Sequence, residues 1–249
     1  MIDRVAVLSD VHCVLPALEA VLAEPDVRGA DLIVLPGDLV VGPMPVETVE
    51  LIESLGERVV WVGGNCERIT VELARGERGG GEPNLTMAAW GAGRLREDQV
   101  DRIAGLPKTV TLEVGGLGEV LFCHATPRDD EEIVLVDSGE ERWREVLAGA
   151  PPTVVCGHTH MPFVRLVDRR TVVNPGSVGM PYGTTGAHWA LLGGGGPAVQ
   201  LRRTEFDVEA AAAKIIAGCD FPGVEEFIDH YLRRPPSDLE ALETFRART

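Results

Sequence analysis

Three short apolar runs, Val5–Leu8, Asp31–Leu35 and Arg58–Val62, recur along the first third of the chain. Each is apolar with little alternation, so both faces of each predicted strand have to be buried. Helix-forming sequence separates them: Pro16–Ala23, then Val46–Leu55 with apolar residues at 49, 51, 52 and 55. Buried strands alternating with helices predict βαβ connections and a parallel sheet covered on both faces.

The pattern then changes. Gly76–Glu82 reads as a surface loop. A helical region comes next, over about Leu85–Ala104, and Leu106-Pro107 stops it. Thr109–Val114 and Glu119–Cys123 are strands joined by Gly115-Gly116-Leu117-Gly118, a hairpin signal. Val154–Cys156, Phe163–Val167, Thr171–Val173, Trp189–Leu192 and Ala198–Arg203 continue the series. So many hairpins predict a mixed or antiparallel sheet for this half. From Asp207 the chain is helical, with breaks at Gly218–Gly223 and Pro235-Pro236. No repeat or linker divides it. The expectation is one α/β domain over residues 1–206 with a helical extension, 207–249, packed on the same domain.

Composition narrows the partners. With 23 Lys+Arg against 39 Asp+Glu the formal net charge is −16, which repels nucleic-acid backbones and argues against them as partners. A phosphate site would need local cations, and bound metal ions can supply them. No signal peptide precedes the first apolar run, and no stretch approaches the ~18 apolar residues of a membrane span. A cytoplasmic protein with no membrane partner is therefore expected. The five cysteines, Cys13, Cys66, Cys123, Cys156 and Cys219, are odd in number and form no CxxC pair. A disulfide framework and a zinc ribbon are both disfavoured.

Most predicted strands end in metal-ligand chemistry: Asp10-Val11-His12, Gly37-Asp38, Gly64-Asn65, His124, then Gly157-His158-Thr159-His160. In open α/β sheets, ligands bind beyond the carboxyl ends of strands, so these loops are expected to share one crevice. The donors are four imidazoles, two carboxylates and one amide oxygen. Such a set suits manganese, iron, zinc or nickel. Seven protein donors exceed the needs of one ion, and two ions sharing a carboxylate is the economical reading. Singly each motif is weak, since Gly-Asp is commonly a turn and Asn65 a helix cap. Their conjunction carries the inference.

These motifs resemble the five of the calcineurin-like metallophosphoesterases, and Asn174-Pro175-Gly176-Ser177 matches the segment after the paired histidines in that superfamily's small bacterial branch. The resemblance spans about Val5–Ser177. It implies a four-layer α/β/β/α sandwich around two mixed sheets. It implies Asp10, His12 and His160 as ligands of one ion, Asn65, His124 and His158 of a second, and Asp38 as the bridge. It implies hydrolysis of a small-molecule phosphate ester, diester or monoester, by a hydroxide bridging the two ions, manganese being favoured. Asp38, Asn65 and His124 would then serve catalysis directly.

Two positions depart from the family pattern. Cys66 stands where many members carry a histidine that protonates the leaving group. A thiol is the poorer proton donor, so substrates with easily departing groups are expected, and Cys66→His should raise turnover of alkyl monoesters. Unchanged rates would count against that role. Cys13-Val14 replaces Gly-Asn, and a cysteine tolerates positive φ poorly, so the loop is expected to differ locally. The cysteines beside the motifs read either as soft auxiliary ligands or as small apolar fillers. Arg128 is a candidate for the substrate phosphate, against a surface ion pair with Asp129–Glu132. Homo-oligomerisation is left open. The competing class is a scaffold that keeps this fold without catalysis; such a chain should have lost ligands, and all seven positions are filled.

Overall fold

The apolar runs form β1 (Arg4–Val7), β2 (Leu32–Pro36) and β3 (Val59–Val62), paired in parallel in that order. The structure, a computed structural model, describes residues 2–248. Met1 and Thr249, the outer ends of the two expected segments, lie outside the described residues. The connections carry α1 (Leu15–Ala23), α2 (Pro25–Arg28) and α3 (Pro45–Ser54). After β3 come α4 (Asn65–Ala74), α5 (Thr86–Ala92) and α6 (Glu97–Ala104). The helical region expected at Leu85–Ala104 is thus two helices. The Gln99 side chain accepts from the Arg96 N–H at 3.1 Å and starts the second.

A second sheet comprises β4 (Thr109–Val114), β5 (Gly118–Cys123), β6 (Thr153–Val155), β7 (Phe163–Val167) and β8 (Arg170–Asn174), in the order β4-β5-β6-β8-β7. Strands β5, β6 and β8 run parallel, flanked by antiparallel β4 and β7. Between β5 and β6 lies α7 (Glu140–Val146). The sequence reading missed this helix, because seven mostly charged residues show only Trp143, Val146 and the following Leu147 as an apolar stripe.

The last hairpin, β9 (Ala187–Gly193) and β10 (Val199–Thr204), does not stay with its neighbours in sequence. It joins the first sheet, giving β10-β9-β1-β2-β3, with Val7 opposite Ala190. That sheet is therefore mixed rather than parallel. Every residue of β9 is buried, which suits an interior strand, while β10 forms the edge.

Side-chain alternation sorts the layers. Val5, Val7, Val34 and Val62 meet Val120, Phe122, Val155 and Val173 between the sheets. Ala6, Leu8, Ile33 and Leu35 point the other way, onto Leu18 and Val21 of α1 and Val49 and Ile52 of α3. One face of the first sheet thus carries helices and the other carries the second sheet, so the expected helical cover on both faces is corrected. Trp143, Val146 and Leu147 cover the far face of the second sheet, against Cys123, Val154 and Val172. The fold is an α/β/β/α sandwich.

The tail supplies α8 (Val208–Gly218), α9 (Val224–Ile228), which runs on into a wider turn over Asp229–Arg233, and α10 (Asp238–Arg246). Ala211 and Ile215 of α8 and Phe227 and Ile228 of α9 enter the helix layer on the first sheet. Ala241 and Phe245 of α10 instead pack on Leu135 and Met161, beside the paired histidines. Among the described residues no helix is long and apolar enough to cross a membrane.

Candidate metal centre

Strands β1, β2 and β3 run parallel in one sheet, and β5 and β6 run parallel in the other. Asp10 and His12 follow β1, Asp38 follows β2, Asn65 opens α4 just beyond β3, His124 follows β5, and His158 and His160 follow β6. The structure brings all seven together. One cluster holds Asp10, His12 and His160, and another holds Asp38, His124 and His158; within each, the candidate donor atoms lie within 4.8 Å of one another. Asn65 Oδ1 joins the second cluster, 3.1 Å from His124 Nε2. Asp38 lies between them, Oδ1 3.2 Å from His124 Nε2 and Oδ2 3.8 Å from His12 Nε2.

The orientation of three imidazoles stems from their outer contacts. His12 Nδ1 meets the Val41 carbonyl at 3.3 Å, His124 Nδ1 that of Pro36 at 2.9 Å, and His160 Nδ1 that of Met180 at 2.8 Å. A carbonyl only accepts, so each Nδ1 carries the proton and each Nε2 is turned inward. Backbone carbonyls commonly fix metal-binding imidazoles in this way. His12 Nε2 and His160 Nε2 then stand 3.2 Å apart with their lone-pair sides facing. At His124, Nε2 meets an amide oxygen and a carboxylate oxygen, both acceptors. Only cations, protons or metal ions, satisfy such meetings of acceptors.

Without metal, protons take those places. Burial opposes the charged form of His124, but the Asp38 carboxylate outweighs it and raises the pKa to about 10. His160 is raised likewise, Asp10 overcoming burial. Burial, reinforced by a neighbouring imidazolium, lowers His12 and His158 to about 4 each. Burial also opposes ionisation of Asp10 and Asp38, yet His160 and His124 hold both below the usual carboxylate range. Two imidazolium charges thus sit one in each cluster, and the donor set fits a pair of metal ions.

Local structure holds these groups. Among the described residues nine non-glycine residues have positive φ, and seven of them (Asp10, His12, Cys13, Asp38, Val41, His158 and His160) belong to the site loops. Concentrated left-handed backbone of this kind marks a functional site. Gly157 passes so close to the loop after β1 that a Cβ there would sit 2.4 Å from Asp10 Oδ2. The His158 N–H donates to that carboxylate at 3.1 and 3.2 Å. Asn174, fully buried, donates to the Gly157 carbonyl at 2.7 Å, and Ser177 Oγ donates to the Asp10 carbonyl at 2.8 Å.

Sequence reasoning missed Glu67. Its buried carboxylate accepts the N–H groups of Asp38 (2.8 Å), Leu39 (2.7 Å), Val40 (3.1 Å) and Gly64 (2.7 Å). One side chain thereby ties the Asp38 loop to the Asn65 loop. Its place three residues inside α4 is the only sequence signal, an N3 acid whose carboxylate reaches back to Gly64. Asn65 itself is not a cap: Gly64 holds that position, and the Asn65 oxygen faces His124.

The sequence profile of the calcineurin-like phosphoesterase superfamily domain matches residues 4–193. The chain belongs to the calcineurin-like phosphoesterase superfamily. It is 27% identical over 239 residues to an uncharacterised protein of Methanocaldococcus jannaschii, covering 86% of this chain and 92% of that one. A metallophosphoesterase from Sphaerobacter thermophilus superposes with TM-score 0.71 at 26% identity, over 90% of this chain and 97% of that one. A hypothetical protein from Pyrococcus horikoshii shares the fold, with TM-score 0.77 at 20% identity over 91% and 96% of the two chains.

Cys13 adopts φ 53°, a left-handed conformation that a cysteine tolerates poorly. Its N–H and its thiol both donate to the Leu39 carbonyl, at 3.0 and 3.4 Å, and these contacts impose the conformation. Cys66 is buried, and burial, with the nearby Asp38 charge, pushes its thiol pKa well up. Arg128 is engaged by Glu132 at 2.6 Å and Glu145 at 2.7 Å, which is the surface ion-pair reading; the phosphate role expected for it receives no support from this geometry. Tyr182 stacks on His160, with ring centroids 5.4 Å apart, and Phe245 of α10 reaches His158 at 6.3 Å.

Proposed function

We propose that the protein is a metal-dependent phosphoesterase that hydrolyses small-molecule phosphate esters, diesters in preference to monoesters, at a pair of ions. The observation that carries this is the buried meeting of acceptors at His12–His160 and at His124–Asn65–Asp38. Asp10, His12 and His160 would hold one ion, Asn65, His124 and His158 the other, and Asp38 would touch both. Such a pair would lower the pKa of water held between the ions and neutralise charge developing on the phosphoryl oxygens. The oxygen and nitrogen donors suit manganese, iron, zinc or nickel.

The remaining work falls to the chain. Asn65 Nδ2 can orient a phosphoryl oxygen while its Oδ1 faces the centre. Cys66 stands at the position where an imidazole would protonate a leaving group, and its buried thiol, with a raised pKa, is a poor substitute for that acid. That favours leaving groups that depart unaided, hence the diester preference.

The test compares bis-aryl phosphate, aryl monophosphate and cyclic nucleotides as substrates of manganese-loaded protein. The diester should turn over fastest. Asp38→Asn should lower that rate about 1,000-fold, because charge stabilisation of several kcal/mol is lost. Full metal occupancy with no hydrolysis of any of the three would overturn the proposal and favour a non-catalytic scaffold.

A further inference from the structure

All five cysteines are buried and unpaired, and the structure separates them. Cys13 and Cys123 are turned to backbone carbonyls, of Leu39 and Val155. Cys156 packs in the outer core of the second sheet, and Cys219 lies in the helix layer. Cys66 alone among them falls into a group of metal-binding type: among the described residues its Sγ lies within 4.8 Å of donor atoms of both His12 and Asp38. Its nearest amide, Asn65 Nδ2, is 3.9 Å away, a long contact for a thiol.

We infer that Cys66 Sγ is a further ligand of the ion on the His12 side, so that the two metal positions differ in kind. The inference rests on the proposed metal pair and specifies its chemistry. The Cys66 N–H donates to Asp38 Oδ1 at 2.9 Å, which fixes the cysteine backbone against the shared carboxylate. Burial and the Asp38 charge oppose a free thiolate at this second residue of α4, so the bound ion itself would have to stabilise the anion. Zinc–sulfur and zinc–nitrogen bonds of about 2.3 and 2.0 Å bring tetrahedral donors about 3.5 Å apart, so modest closure of the group suffices. As the sulfur–metal bond forms, Cys66 releases its S–H proton to solvent, and no electrons are transferred. A thiolate among imidazoles and carboxylates prefers zinc, cobalt(II) or iron(II) to manganese on this side, while His124, His158 and Asn65 offer only nitrogen and oxygen.

Cobalt(II) loading of the full chain tests this spectroscopically, apart from activity. The wild-type protein should show visible d–d bands from both positions and a near-ultraviolet sulfur-to-cobalt charge-transfer band. Cys66→Ser should lose the charge-transfer band, keep the d–d bands and lose at least tenfold in preference for zinc over manganese. Cys13→Ser and Cys156→Ser should retain the band. Wild-type d–d bands without charge transfer would overturn the inference and leave the metal pair standing, and this result does not depend on any variant folding. A band that survives Cys66→Ser would equally overturn it. Absence of cobalt binding altogether would instead remove the proposed metal pair and this inference with it.

Discussion

Glu67 concentrates four backbone N–H groups on one buried carboxylate, and those donors belong to the loops that carry Asp38 and Asn65. Glu67→Gln keeps the shape but replaces one accepting oxygen with a donor that faces N–H groups. A loss of about 2–4 kcal/mol is expected in urea unfolding, with weaker metal binding by calorimetry. An undiminished midpoint would show that the loops do not depend on this clamp. Gly157→Ala should disturb the centre more than the fold, since its Cβ would strike Asp10 Oδ2 and Ser9 Oγ. The expected outcome is a folded protein by circular dichroism with metal affinity reduced at least tenfold. The imidazoles set a pH dependence as well. His124, raised to about 10, and His160, also raised, hold their protons in the metal-free protein; this stabilisation is complete below about pH 6.5 and is lost as the pH climbs through the raised folded range. Metal must displace both protons, so apparent affinity should rise steadily between about pH 6 and 9, with proton release detectable in buffers of different ionisation enthalpy. Affinity independent of pH would contradict the protonated pair.

At the scale of elements, the β5–β6 connection is held by charge. Glu132 accepts from Arg128, Arg142 and Thr126, and the Arg128 hydrogen bond is the main reason its pKa falls to about 2. The folded value lies below the unfolded carboxylate range. The stabilisation is therefore fully present above about pH 4.3 and disappears as pH drops toward the folded value. Glu132→Gln should flatten the acid limb of a stability–pH profile over that window while changing little else about it. An unaltered limb would mean the cluster contributes nothing net, as exposed ion pairs often do. Local sequence predicted most strands and the two-residue spacing of the candidate ligands, because strand period and strand-end polarity are local properties. It did not reveal α7, whose stripe is too short, and it treated Leu85–Ala104 as one helix where there are two.

Across the whole molecule the centre draws loops from both sheets, so filling it should couple them. Melting temperature should climb with free metal concentration, by an amount equivalent to about 2.7 kcal/mol at a hundredfold excess over the dissociation constant, and a chelator should reverse it. Phe122, fully buried between the sheets, offers a contrast. Phe122→Ala should lower stability by about 3–5 kcal/mol with or without metal. The sequence by itself determined the alternation of buried strands and helices and placed the seven candidate donors at strand ends, since each depends on neighbours a few residues away. Tertiary structure alone decided that β9 and β10 cross to the first sheet, that Glu67 clamps two remote loops, that Cys13 accepts a left-handed turn, and that α10 brings Phe245 to His158. Those outcomes turn on partners tens of residues distant, and a hairpin or a carboxylate carries no local mark of which sheet edge or which backbone amides it will meet.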